Sequence, residues 1–329
     1  MQRIWPLPKI VFSPLSAWND SRSISVVTTE AAWHAVESRW RLPVENEILA
    51  VVAEAASWDA LLSEVRGEVL YAVGGGLAAD AAKYLGARTQ RPVVSVPTAL
   101  SVDAFFTPAA GVRENGCVRY IETGPPELAV VDWELIGHAP GALRAAGICD
   151  VLSIATARWD WRFAHQQQRL DEAHRMIAFA DHAAEAIMLG ALQCAELAGR
   201  GEPEGLKQLL DCLCLEVQLC NQLGHSRPEE GSEHYFAYAV ENHVSKGMPH
   251  GNLVGPGILL MAEAQGQSIG TLRHALEECQ VPLNTIPREM IERTLRELPE
   301  YARTHQLPEG MAHHLNEGAI GRLLDAYPF

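Results

Sequence analysis

Through roughly its first 130 residues the chain alternates short β-branched runs with longer amphipathic stretches, a pattern that few folds other than a parallel sheet with crossover helices can accommodate. SISVVTT (23–29), EILAVVAEA (47–55), EVLYAVGGG (68–76), PVVSVPT (92–98) and LAVVDW (128–133) read as buried strands. AAWHAVESRW, SWDALLSEVRG and LAADAAKYLGARTQ lie between them with helical spacing. GVRENGCVRYIETG carries an ENG turn between two short runs, which predicts a hairpin standing off the main sheet.

Beyond residue 140 the texture changes to Ala-, Leu-, Glu- and Gln-rich stretches with few β-branched runs. RMIAFADHAAEAIMLGALQCAELAG, GLKQLLDCLCLEVQLCNQLG and the segments 268–283 and 288–305 keep apolar residues at three and four spacing, so this half is expected to be helical. At 329 residues and 48% hydrophobic, the chain exceeds what one core usually serves. The expected division is an α/β domain over 1–138 and an all-α domain over 139–329, separated near the turn-prone GHAPG.

Composition narrows the partners. A net charge of -15 argues against nucleic acid or an anionic membrane surface, both of which reward clustered Lys and Arg. Seven scattered cysteines without a CxxC pair indicate neither a disulfide framework nor a thiolate zinc site, and fit a reducing cytoplasm. No run approaches the roughly 18 apolar residues of a membrane span, and the N-terminus lacks a signal-peptide core.

Two local patterns carry chemistry. Gly74, Gly75 and Gly76 follow an apolar strand and open a helix, where the backbone must turn sharply or come close to a ligand. Free amides at the helix start would suit a diphosphate. The spacing is not GxGxxG, and a tight turn without a ligand is the plain alternative. VPTALSVD, one strand further on, favours the crevice, because neighbouring parallel strands end side by side. Thr98 and Ser101 can then offer hydroxyls to a nucleotide, and Asp103 a carboxylate to a polar substrate. Asp80 lies one turn before Lys83 on the helix after the glycines, as a further cofactor contact or as half of a helix-stabilising ion pair. Thr28, Thr29 and Glu30 end the first long strand, where Glu30 can bind a ribose 2′-hydroxyl and the threonines a 2′-phosphate.

The second pattern is a pair of glycine-framed histidines, His234 in GSEHYFAYAVE and His250 in MPHGNLVGPG. With a carboxylate they would form a two-histidine, one-carboxylate metal site with open positions. Asp150, in the apolar stretch AAGICDVLS, is the candidate third ligand, since a buried carboxylate there needs a partner.

VGGGLAADAAKYLG, RPVVSVPTALSVDAFFTPAA, PPELAVVDWELIGHAPGALRAAGICDVLS, GSEHYFAYAVE and HGNLVGPGIL, taken together and in this order, resemble the iron-containing alcohol dehydrogenase, glycerol dehydrogenase and dehydroquinate synthase group, most of all its sn-glycerol-1-phosphate dehydrogenases. The resemblance implies a Rossmann-like nucleotide-binding domain followed by a helical metal domain. It implies that Asp150, His234 and His250 hold a divalent metal; the mixed nitrogen and oxygen ligand set itself suits redox-inert zinc first, and iron or nickel as well. It further implies that Gly74–Gly76 hold the diphosphate of NAD or NADP, and that Thr98, Ser101 and Asp103 line the nicotinamide and substrate side. The expected activity is oxidoreduction of a small polyol or polyol phosphate by a homo-oligomer. A cyclase of the dehydroquinate synthase kind is the second reading, disfavoured by scarce lysine, and a non-catalytic nucleotide-binding member is the third. The chain departs from the glycerol phosphate enzymes at Val102 and Tyr238, where they carry histidines, and at Glu122, read as unfriendly to a phosphate ester.

Overall fold

Six parallel strands, in the spatial order 9–12, 128–131, 93–97, 69–74, 24–28 and 44–49, form the centre of the first of two units, which spans Arg3–Pro140. The computed structural model describes residues 3–244 and 247–327. The strands are β1 (Lys9–Phe12), β2 (Ile24–Thr28), β3 (Val44–Leu49), β4 (Val69–Gly74), β5 (Val93–Pro97) and β8 (Leu128–Val131). Helices α1 (Glu30–Val36), α2 (Ala55–Leu61), α3 (Gly76–Thr89) and α4 (Trp133–Gly137) complete the unit.

Side chains along the central strands alternate between two cores, as the period of a strand requires. Ile24, Val26, Val69, Tyr71, Val73, Val94 and Val96 pack on one face with Trp40 and Leu135. Val27, Leu70, Ala72 and Val93 pack on the other with Trp58, Ala81 and Leu85. Because both faces are covered, these strands read as continuous apolar runs rather than alternating ones.

The expected hairpin is present as β6 (Ala109–Glu114) against β7 (Cys117–Glu122), antiparallel. Asn115 and Gly116, at φ 52° and 77°, make a turn whose twist matches its strands. Two expectations shift. The third strand begins at Val44 rather than 47 and leaves the sheet after Leu49, because its neighbour β2 ends at Thr28, opposite Leu49. The edge strand β1 is additional, too short at four residues to show a period.

The second unit begins at Gly141 and is helical: α5 (Gly141–Arg144), α6 (Ile148–Leu152), α7 (Ile154–Gln166), α8 (Ala178–Arg200), α9 (Pro203–Leu223), α10 (Ser232–Val240), α11 (Gly251–Ala264), α12 (Gly270–Glu278), α13 (Arg288–Thr304) and α14 (Glu317–Ala326). The two longest, α8 and α9, form a hairpin. Gly201 ends α8 at φ 80° and Pro203 opens α9, the usual order of a helix stop and a helix start. All nine residues of α10 are buried, as are most of α11, so both are apolar around most of their circumference and lie inside the unit. No helix among the described residues is long and apolar enough to cross a membrane.

Candidate functional site

In the α/β unit, the sheet order puts β4 on the opposite side of β2 from β3, so the winding direction reverses between β2 and β4. Crevices of open α/β sheets form at the carboxyl ends of the strands flanking such a reversal. Gly74 ends β4 there at φ 145°, and a Cβ on it would lie 3.1 Å from the Cβ atoms of both Ala32 in α1 and Ala78 in α3. Glycine is required at this point both by conformation and by the approach of two helix starts.

The loop after β5 closes on the same turn. The Thr98 amide donates to the Gly74 carbonyl at 3.2 Å. Ser101 Oγ stands 3.4 Å from where a Gly75 Cβ would be, and a Val102 methyl 3.1 Å from that of Gly76. Gly74, Gly75, Gly76, Thr98 and Ser101 are thus brought together, with Asp103 two residues further along that loop. Asp80 is placed differently: its carboxylate pairs with Lys83 at 3.0 Å and lies beside Gly111 of the hairpin. Lys83 is itself buried and donates to the Thr107 hydroxyl at 2.8 Å and to the Ala109 carbonyl. The pair therefore ties α3 to the loop before β6 and to β6 itself.

The threonines at the end of β2 are also engaged. Thr28 donates to the Val73 carbonyl at 2.7 Å, and Thr29 caps α1 by accepting from the Ala32 amide. Glu122 has a partner of its own. It accepts from the Trp5 indole at 2.9 Å, near the starts of β1 and β8, at the end of the sheet away from the glycine turn.

In the helical unit, Asp150 (α6), His234 (α10) and His250 (at the start of α11) converge, each offering one ligand atom within 4.8 Å of the other two. His250 Nε2 is 3.3 Å from Asp150 Oδ1, and the two imidazole rings are 5.3 Å apart at 34°. Ligands held about 2.0–2.2 Å from a shared ion lie within about 4.4 Å of one another, so small rotations close this set on one cation. Asp150 and His234 are buried, whereas the His250 side chain is 29% exposed and leaves the site one open flank.

The glycines around the two histidines serve this convergence through helix packing. A Cβ on Gly257 would meet the Glu233 carbonyl at 2.7 Å, and one on Gly251 the Ala146 Cβ at 3.2 Å. Only glycine lets α11 approach α10 and the segment before α6 this closely.

Electrostatics favour a cation. Burial disfavours a charged His234, yet the hydrogen bond and charge of Glu233, with Glu230 and Asp150 nearby, outweigh it and raise the pKa to about 9. The same anionic surroundings suit a metal ion. Tyr238, one turn after His234, donates to Glu230 at 2.8 Å with its ring centroid 6.0 Å from that of His234.

Sequence reasoning missed the carboxylates behind these ligands. Asp160 of α7, fully buried, accepts from the Ser232 amide and hydroxyl at 2.8 and 2.5 Å, the Met311 amide at 2.8 Å and Gln265 at 3.0 Å. Glu233, also fully buried, sits beside His234. The available signal was local: a glutamate directly before a candidate ligand, in the first turn of a helix.

The family model for iron-containing alcohol dehydrogenases matches residues 21–140. A protein of Aeropyrum pernix named glycerol-1-phosphate dehydrogenase [NAD(P)+] is 32% identical over 248 residues, covering 74% of this chain and 67% of its own. One of the same name from Sulfolobus acidocaldarius is 28% identical over 80% of this chain and 74% of its own. Among solved structures, a probable glycerol dehydrogenase from Sinorhizobium meliloti 1021 superposes with a TM-score of 0.67 at 18% identity, covering 98% of this chain and 97% of its own. An iron-containing alcohol dehydrogenase from Thermococcus thioreducens gives the same TM-score at 14% identity, covering 98% of each chain. The structural likenesses establish the fold, and the sequence matches carry it further: the chain belongs to the iron-containing alcohol dehydrogenase family and is an oxidoreductase of the alcohol dehydrogenase type.

Proposed function

We propose that this protein is a metal-dependent, NAD(P)-linked dehydrogenase interconverting a small polyol, or a polyol phosphate of the glycerol-1-phosphate type, with its ketone. The observation that carries the reading is the convergence of Asp150, His234 and His250 in an anionic pocket, in a chain whose relatives bear the name glycerol-1-phosphate dehydrogenase [NAD(P)+].

A divalent ion on these three residues, zinc before iron or nickel, would supply a Lewis acid that lowers the pKa of an alcohol and favours hydride loss from its carbon. The residues of the chain do the rest. Asp150, His234 and His250 would hold the ion, and the partly exposed His250 leaves one flank of the site open to a substrate. Gly74, Gly75 and Gly76 let the backbone come close to the cofactor diphosphate, and the Thr98 and Ser101 hydroxyls orient the nucleotide. Asp103 accepts a hydroxyl proton of the substrate and is the catalytic residue of this scheme. The role of Asp80 is indirect, through its pairing with Lys83. The seven unbridged cysteines suit the reducing cytoplasm, where we place the protein as a homo-oligomer.

A panel of glycerol, other small polyols and their 1- and 3-phosphates, each with NAD and NADP, tests the reading at the nicotinamide absorbance. Turnover is expected with at least one polyol or polyol phosphate, lost on metal removal and restored by a divalent ion. Phosphate release without net reduction of the nucleotide would replace this reading with a cyclase, and nucleotide binding without any turnover would replace it with a non-catalytic one.

A further inference from the structure

We infer that Glu233 is the positioning residue of the metal centre: its carboxylate fixes which ring nitrogen of His234 carries the proton and so presents the other to the ion. The inference rests on the metal site proposed above. Glu233 Oε1 lies 3.0 Å from His234 Nδ1 and also accepts the Gly231 amide at 2.6 Å. Its other oxygen accepts the Thr156 hydroxyl at 2.6 Å. All the neighbours named here are donors, so the carboxylate serves as an acceptor throughout, and an acceptor facing Nδ1 demands Nδ1–H. In a neutral imidazole the lone pair then resides on Nε2. Metal-bound histidines commonly have their second nitrogen held this way.

The surrounding structure makes this arrangement stiff. The Asp160 carboxylate holds the first residue of α10 through the Ser232 amide and hydroxyl. Gly231 passes between two carboxylates, since a Cβ there would lie 2.9 Å from Asp160 Oδ2 and 3.2 Å from Glu233 Oε2. Glu233 can therefore neither swing away nor exchange partners with Asp160 without moving the start of α10. A fully buried carboxylate fixed on three sides by donors, one of them a ligand imidazole, is more than a helix cap. A cap alone would need only the Gly231 amide.

The test is metal affinity of the full chain, stripped by chelator and titrated with Zn²⁺ against a chromophoric competitor, with Co²⁺ absorption as a view of ligand geometry. Glu233→Ala should weaken Zn²⁺ binding by about 10- to 100-fold and alter the Co²⁺ bands. Glu233→Gln, which keeps an acceptor oxygen, should recover part of that loss, and Thr156→Val should weaken binding in the same direction by less. Should the alanine variant fail to fold, the glutamine and Thr156 variants carry the test. Wild-type affinity and wild-type Co²⁺ bands in the folded variants, even with a lowered melting temperature, would reduce Glu233 to a helix cap and overturn the inference. Asp150→Ala and His250→Ala separate the two claims. If they lose metal while the Glu233 variants keep it, only the inference fails; if they too keep it, the site reading fails and the inference with it.

Discussion

The two candidate sites of this molecule are built from opposite materials. In the α/β unit the cradle is mostly backbone: Gly74 at φ 145°, two helix starts, and a loop tied to the turn by a Thr98 amide. In the helical unit it is side chains that water would otherwise solvate, with Asp150, Asp160, Glu233 and His234 all buried. A backbone cradle costs little to bury because it carries no formal charge, and most of its peptide groups are already paired in the sheet and the helix. A side-chain cradle must satisfy each charge from elsewhere in the fold, through partners distant in sequence. The first should fail by strain and the second by unpaired charge.

The largest effect should come from removing a ligand. Asp150→Ala or His250→Ala is expected to abolish stoichiometric metal and lower kcat/KM by at least about 10³-fold, the loss of several kcal/mol of charge stabilisation. Elemental analysis and initial rates check both. Metal retained in both variants would erase the contrast between the two sites.

Asp160→Asn probes the supporting layer. Burial, followed by the charge of Glu233, pushes the Asp160 pKa up to about 6, while hydrogen bonds from Ser232 and the Met311 amide oppose the rise. Asparagine offers one acceptor oxygen where four donors are now shared between two, so some buried donors would face an NH₂ group. A destabilisation of about 2–4 kcal/mol is expected in denaturant unfolding. A change below about 0.5 kcal/mol would show that the helical site does not depend on its buried carboxylates.

Gly74→Ala strikes the backbone cradle. Its φ is unfavourable for any side chain, and the new methyl would press on Ala32 and Ala78. The expected cost is about 1–3 kcal/mol of stability, with a raised KM for the dinucleotide and metal content unchanged. A variant as stable as wild type would mean that the turn relaxes freely and the cradle is not strained.

This difference in materials also explains what the sequence displayed. The glycine turn is legible because its cause is local: an apolar run, three glycines and a helix-forming stretch are contiguous. The hairpin was legible for the same reason, through Asn115 and Gly116. Asp150, His234 and His250 stand far apart in the chain and emerge as a set only through glycine framing and resemblance. Asp160 gave no sign at all, since its role is defined by Ser232, Gln265 and Met311, the last 151 residues away. Glu122 drew notice only as a departure from the family pattern, and its hydrogen bond from Trp5, 117 residues away, had no local sign. Strand β1 was missed because four residues carry no period.

The smallest effect concerns pH, and it also distinguishes the two units. In the helical unit His225 packs edge-on against Trp161 and beside His174. Burial first, then the neighbouring charges of His174 and Arg227, lowers its pKa from 6.5 to about 4. A base with a depressed folded-state pKa contributes stability above its unfolded value, and that contribution is lost as pH falls from about 6.5 towards 4. Asp160 acts in the opposite sense. Its raised pKa favours the folded state in acid, and that stabilisation is lost as pH rises from 3.8 through about 6. The two partly cancel in the wild type, so the informative quantity is a difference. His225→Gln keeps an acceptor for the Arg227 amide and removes the titration, and the stability gap between it and wild type should shift in the variant's favour as pH falls across that window. In the α/β unit, Asp20 is held at about 2 chiefly by its hydrogen bond to Arg22, so its contribution is present above 3.8 and fades only towards pH 2. Amide exchange at pH 5 and pH 7 should therefore show the variant altering protection around His225 while β2 and β4 respond alike in both proteins. A pH-independent gap would place His225 in water when folded and remove the acid sensitivity assigned to its part of the helical unit.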